Sequence, residues 1–231
     1  MNNKYTTVLF DADNTLLDFD KAENVALKKV MADYALPITE ENCKTYSAIN
    51  DALWKKFEKG EIEKEHIKTT RFKEFFEFLK VEKNYNPLEV NNTYISYLRD
   101  GAYTIDGAAE LCRSLKNKGY TLYIITNGIA TTQIRRLKLS GLSSFIDDVF
   151  ISETIGFQKP KKEYFDFVLK GIKEKDKTKV IVIGDSLSSD IKGAQNAELD
   201  YIWYNHNKLP VPQELFAVAI VNDIKEIDAI L

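Results

Sequence analysis

Two cysteines, two histidines and the lack of any apolar run approaching twenty residues set the first limits on this 231-residue chain. Cys43 and Cys112 are too few for a disulfide framework. Cys112 also falls on a helical stripe with Ala108, Leu111 and Leu115, where a small buried apolar residue belongs, so a reduced, cytoplasmic setting is expected. His66 and His206 stand far apart and make no histidine metal cluster. Nothing is long enough to span a membrane, and the apolar stretch Val8 to Phe10, followed at once by acid, is too short for a signal-peptide core. Charge of one sign is scarce as well. With 32 basic and 35 acidic residues spread along the chain, a net charge of −3 argues against a dedicated nucleic-acid polymer binder but not against small anionic ligands. There is no internal repeat or low-complexity tract, and the charge-dense "KGEIEKEHIK" reads as a solvated helix face.

What is there is 44% apolar, enough for one large domain or for a core domain with a smaller companion. Short runs rich in Val, Ile and Tyr occur at "TVLFD", "YTLYIITNG", "DDVFIS", "KVIVIGDS", "DYIWYN" and "FAVAIVND". They alternate little, as strands buried on both faces should. From Ile105 onward they are interleaved with helical patterns, one of them starting after Asp106 as N-cap. The expected class is α/β, with a Rossmann-like parallel sheet core covered by helices. Between the first strand and Ile105 no strand pattern appears. Helical stripes such as Leu27, Val30, Met31, Tyr34 and Phe72, Phe75, Phe76, Leu79 take its place. A parallel crossover needs only about a dozen residues, so this longer stretch reads as an inserted all-helical domain over residues 18–103, with the core built from 1–17 and 104–231.

Four signals fall at strand ends or just beyond them. They are Asp11, Asp13 and Thr15 in "DADNT"; Thr126 with Asn127 and Gly128; Lys159 in "GFQKPKKEYFDF"; and "IVIGDSLSSD", where Gly184 is read as permitting a sharp turn before Asp185, and Asp190 follows. Ligands of open parallel sheets bind outside the carboxyl ends of the strands, so all four can converge. Asp11, Asp185 and the Asp13 backbone carbonyl offer hard oxygen ligands for one Mg²⁺. Asp190 fits direct ligation, a cap, or a pair with Lys159. A carboxylate nucleophile needs no base to activate it, but it must approach a phosphate of its own sign. Mg²⁺ and Lys159 would cancel that repulsion. Asp11 would attack, Asp13 would donate and then accept a proton, and Thr126 with neighbouring N–H groups would hold the phosphate oxygens.

In these motifs and their order the chain resembles the haloacid-dehalogenase-like hydrolase superfamily, whose helical cap the insertion also resembles. The resemblance implies nucleophile for Asp11, acid and base for Asp13, phosphate binding for Thr126 and Lys159, and metal binding for Asp185 with Asp190 in support. True dehalogenases of the superfamily lack the second aspartate of the first motif, so Asp13 implies a phosphatase. "INDALWKKFEKGEI", "TTRF" and "ISETIGFQKPKKEYFDF" are similar to the bacterial pyrimidine 5′-nucleotidases, which implies nucleoside monophosphates, including non-standard ones, as substrates.

Candidate specificity residues in the insertion are Trp54, Gly60 and Arg71. Trp54 fits stacking on a base or packing in the insertion. Arg71 fits a substrate contact or pairing with nearby glutamates. Gly60 fits a turn. A phosphatase of sugar phosphates or phosphoglycolate would share every core residue. A phospho-accepting receiver module also uses Asp, Thr, Lys and Mg²⁺, but the D-x-D spacing and the insertion speak against it. The sequence leaves the oligomeric state open.

Overall fold

The computed structural model describes residues 4–231. In chain order its principal elements are β1 (Thr7–Asp11), α1 (Phe19–Asp33), α2 (Glu40–Glu58), α3 (Lys64–Leu79), α4 (Pro87–Leu98), α5 (Ala108–Asn117), β2 (Thr121–Thr126), α6 (Ala130–Leu139), β3 (Asp148–Ile151), α7 (Ser152–Ile155), α8 (Lys162–Gly171), β4 (Val180–Gly184), α9 (Lys192–Asn196), β5 (Asp200–Tyr204), β6 (Ala219–Val221) and α10 (Ile227–Ile230). Two compact units result, one formed by residues up to Asp18 with Ala102–Leu231, the other by Phe19–Gly101.

All six apolar runs form strands, and they pair in parallel in the order β3-β2-β1-β4-β5-β6. Side chains alternate across a strand, and here both sets are apolar because both faces are covered. Val8, Phe10, Ile124, Ile183 and Ile202 join one core with Leu111, Cys112 and Leu115 of α5. Leu9, Ile125, Val182 and Trp203 join the other with Phe165 and Val168 of α8. The strand order reverses between β1 and β4, so the ends of those strands open a crevice. Register fixes what lies there: Asp11 pairs with Ile125, one residue short of Thr126, while Phe10 pairs with Ile183, next to Gly184.

Where the chain leaves and re-enters this unit, Leu17 and Thr104 form an antiparallel bridge and the Asp18 amide donates to the Tyr103 carbonyl at 2.9 Å. The helix after Asp106 begins one residue later than a side-chain cap would place it. Gly107 is the N-cap at φ 86°, and Asp106 pairs with Lys225 instead.

The helical unit consists of α1 to α4. Thr39 caps α2 by accepting from the Asn42 amide at 3.1 Å, and Asn86 caps α4 ahead of Pro87. Its core is aromatic: Tyr46, Phe72, Phe75 and Tyr94 pack with ring centroids 5.1–5.6 Å apart. Among the described residues no helix is long and apolar enough to cross a membrane.

Candidate active site

Asp11 ends β1 on the face it shares with Leu9, and is 6% exposed. Lys159, joined to Pro160 by a cis peptide bond, sends a buried ammonium back under the sheet edge. There it donates to Asp11 Oδ1 at 2.6 Å, Asp190 Oδ1 at 2.6 Å and the Ile125 carbonyl at 2.9 Å. Asp190 sits on a short π-helical turn, Leu187–Ile191, and its Oδ2 accepts from the Ser186 amide at 3.2 Å. The Asp185 backbone is pinned by Trp203 Nε1, which donates to its carbonyl at 2.8 Å.

One carboxylate oxygen each from Asp11, Asp185 and Asp190 lies within 4.8 Å of the others. Three acids thus gather beside one ammonium, Asp11 and Asp190 buried and Asp185 partly exposed, leaving an excess of negative charge. Burial, and then the neighbouring Asp190, push the Asp11 carboxyl well above the ordinary carboxylate range, against the pull of Lys159. Burial also raises the Asp185 carboxyl, opposed by the neighbouring His206. For Lys159 burial works against the charge, but Asp11 and Asp190 outweigh it and hold the ammonium above its usual value. Hard oxygen donors with surplus negative charge fit a divalent cation, which would reverse the cost of ionising these acids.

Glycine at 184 serves this cluster as well as the turn after β4, where the chain bends at Asp185. Its φ is not positive. A Cβ there would lie 2.4 Å from Asp190 Cγ, so the missing side chain is the space Asp190 occupies.

Thr126 ends β2 and is buried, and its Oγ1 accepts from the Gly128 amide at 3.0 Å. Asn127 pairs reciprocally with the Lys159 backbone: its Nδ2 donates to the carbonyl at 3.0 Å and its Oδ1 accepts from the amide at 2.9 Å. The loop after β2 therefore aligns the segment that carries the lysine. Asp13 lies beyond β1, just before Asn14 at φ 58°, and its carboxylate accepts from Arg136 and Gln133 of α6. Neither of these α6 residues is singled out by the sequence motifs. His206, which sequence spacing left alone, lies 3.8 Å from Asp185 and stacks on Tyr204.

The structure thus brings Asp11, Asp13, Thr126, Asn127, Lys159, Asp185 and Asp190 to one sheet edge. Trp54, Gly60 and Arg71 lie in the helical unit. Trp54 packs edge-on against Phe57, beside the Leu53 and Ile67 cluster. Gly60 follows α2 at φ 74°, with open space where a Cβ would stand. Arg71 is 2% exposed, and its guanidinium donates to Asn91 Oδ1 and Asn50 Oδ1 and lies 4.6 Å from the Tyr94 ring centroid.

The chain is similar to several known proteins. YfnB of Bacillus subtilis, named as a HAD-hydrolase, is 39% identical over 228 residues, covering 99% of this chain and 96% of YfnB. Its magnesium-bound orthorhombic crystal structure, said to reveal interdomain movement in that protein, matches with a TM-score of 0.92 and covers 99% of each chain. The pyrimidine 5′-nucleotidase PynA of Streptococcus pneumoniae is 40% identical over 89% of this chain and 86% of its own. The pyrimidine 5′-nucleotidase YjjG of Escherichia coli is 31% identical over 99% and 98%. More distant is a glyceraldehyde 3-phosphate phosphatase of Pyrococcus furiosus, at 28% over 97% and 92%. The model of the haloacid dehalogenase-like hydrolases matches residues 5–198, and the chain belongs to that family.

Proposed function

We propose that this chain, a phosphoric monoester hydrolase, acts in the cytoplasm on pyrimidine nucleoside 5′-monophosphates, non-standard ones among them, through an aspartyl-phosphate on Asp11. The observation that carries the chemistry is the convergence of Asp11, Asp185 and Asp190 on one another, with Lys159 between two of them. The likeness to PynA and YjjG over most of the chain supports the substrate class.

In this reading an Asp11 oxygen attacks phosphorus as the bond to the nucleoside 5′-oxygen breaks, and Asp13 gives that oxygen its proton. Asp13 then takes a proton from the water that attacks phosphorus. The Asp11–phosphorus bond breaks and inorganic phosphate leaves. Two unit charges of one sign at 4 Å repel by about 4 kcal/mol at intermediate dielectric, and Lys159 offsets part of this beside Asp11. Mg²⁺, held by Asp11, Asp185 and the Asp13 carbonyl with Asp190 beside them, would neutralise the rest when bound. Thr126 and the amides of the loop after β2 orient the phosphoryl oxygens, the positioning that phosphoryl transfer chiefly requires. Choice of leaving group is assigned to the helical unit. Within it Arg71 is given a framework role, because its guanidinium is already engaged by Asn50 and Asn91.

The test is phosphate release with Mg²⁺ across pyrimidine and purine monophosphates, deoxy forms, phosphoglycolate and triose and hexose phosphates. The expected outcome is a preference of at least about tenfold in kcat/KM, roughly 1.4 kcal/mol, for a pyrimidine nucleotide. A sugar phosphate ranking above every nucleotide would replace the substrate assignment while leaving the chemistry intact. Asp11→Asn should release no phosphate from any of them.

A further inference from the structure

The inner face of α6 is built from the wrong residues for a helix that merely covers a sheet. Gln133 and Arg136 are each 1% exposed, whereas Ile134 and Leu139 of the same helix are 57% and 53% exposed. Leu137 of the same face joins the apolar core, so burial of apolar surface accounts for that residue but not for the polar pair beside it. What the buried pair touches is Asp13. Arg136 Nη1 donates to Asp13 Oδ1 and Gln133 Nε2 to Asp13 Oδ2, so each carboxylate oxygen has its own donor and rotation of the group is blocked. Gln133 Nε2 also donates to Thr126 Oγ1 at 3.1 Å, and its Oε1 accepts from Arg136 Nη1 at 3.4 Å. The amide is wedged from the other side by the backbone: a Cβ at Gly128 would lie 2.2 Å from Gln133 Nε2.

We propose that Gln133 and Arg136 are positioning residues that clamp Asp13 in the orientation from which it moves protons, and that Gln133 ties this orientation to Thr126. The inference rests on the acid and base role given to Asp13 above. An ammonium or guanidinium placed only to neutralise a stray acid would need neither a second donor on the other oxygen nor the shared contact with Thr126. Two donors, one per oxygen, define a plane for the carboxylate, and small misplacement of a catalytic group is costly in rate.

Proton donation matters only when the departing oxygen is a poor leaving group, which separates positioning from plain structural support. A nucleoside 5′-oxygen needs the proton, and 4-nitrophenolate does not. In rapid-mixing experiments with Mg²⁺, Arg136→Met and Gln133→Met should lower the rate of enzyme phosphorylation by the preferred nucleotide by about 10²-fold. Phosphorylation by 4-nitrophenyl phosphate should stay within about threefold, with the substrate concentration for half-maximal burst rate little changed. A burst of 4-nitrophenolate should follow, because water attack still needs the base. Arg136→Lys should recover part of the loss. Equal loss on both substrates, in step with a lowered melting temperature, would overturn the inference and leave a structural ion pair. Should Arg136→Met fail to fold, the nearly isosteric Gln133→Met reads the same ratio. Asp13→Asn is the control. If it spares the nucleotide relative to the nitrophenyl ester, the acid role itself fails. If it shows the selective loss while both clamp variants do not, only the clamp fails.

Discussion

The Lys159 ammonium and the Asp11 carboxylate meet at 2.6 Å, although 148 residues separate them in the chain. Both are nearly excluded from solvent, so neither charge is screened by water and each depends on the other. Lys159→Met should therefore lower kcat/KM by about 10²–10³-fold at saturating Mg²⁺. Lys159→Arg should restore little, since a planar guanidinium overfills a site that is 1% exposed. Steady-state kinetics on both variants check this. Wild-type turnover by Lys159→Met would remove the lysine from the mechanism.

The acidic cluster carries a pH signature. Asp11 and Asp185 both have carboxyl groups held above the ordinary value of 3.8. The folded protein then binds more protons than the unfolded chain above that pH. Their contribution to stability is present below 3.8 and is lost as pH rises through the folded values. In chelator near neutral pH, Asp185→Asn should melt higher than the parent protein, with an advantage that shrinks on acidification toward pH 3.8. Millimolar Mg²⁺ should reverse the order, because a cation stabilises only the centre that still has its ligands. Thermal melts with and without chelator decide it, and a lower melting temperature for the variant in chelator would contradict the crowding of charge described above.

Gly184→Ala should act on the same centre without changing its charge. The new Cβ would meet Asp190 Cγ at 2.4 Å and push that carboxylate off Lys159. Overpacking of this sort costs about 1–3 kcal/mol. The expected result is a lower unfolding midpoint in urea together with weaker activation by Mg²⁺, measured as the metal concentration needed for half-maximal rate.

Arg71→Met is expected to behave as a lesion of the framework. It strips Asn50 and Asn91 of a charged donor and removes a cation from beside the Tyr94 ring, at a cost of about 3 kcal/mol in unfolding free energy. At temperatures where the variant is folded, KM for the preferred substrate should stay near the parent value. A large rise in KM with unchanged stability would instead place Arg71 against the substrate.

By itself the sequence determined the six strands, the α/β class and the residues at the strand ends, for a local reason. A strand buried on both faces must be apolar along its length, so Asp11 and Thr126 at the ends of β1 and β2, and Asp185 just after β4, stand out against it. Gly184 was visible too, but only half of its reason was: besides preceding the bend at Asp185, it leaves room for a carboxylate six residues on.

Only the tertiary structure decided who partners Asp13. On α6 Gln133 and Arg136 turn inward, while Ile134 stays exposed. Apolar burial leaves a repeating mark on a sequence because every turn of a helix pays the same solvation cost. A polar contact spanning 120 residues leaves none, since its energy comes from two particular groups that become neighbours once the parallel sheet has brought β1 and β2 side by side.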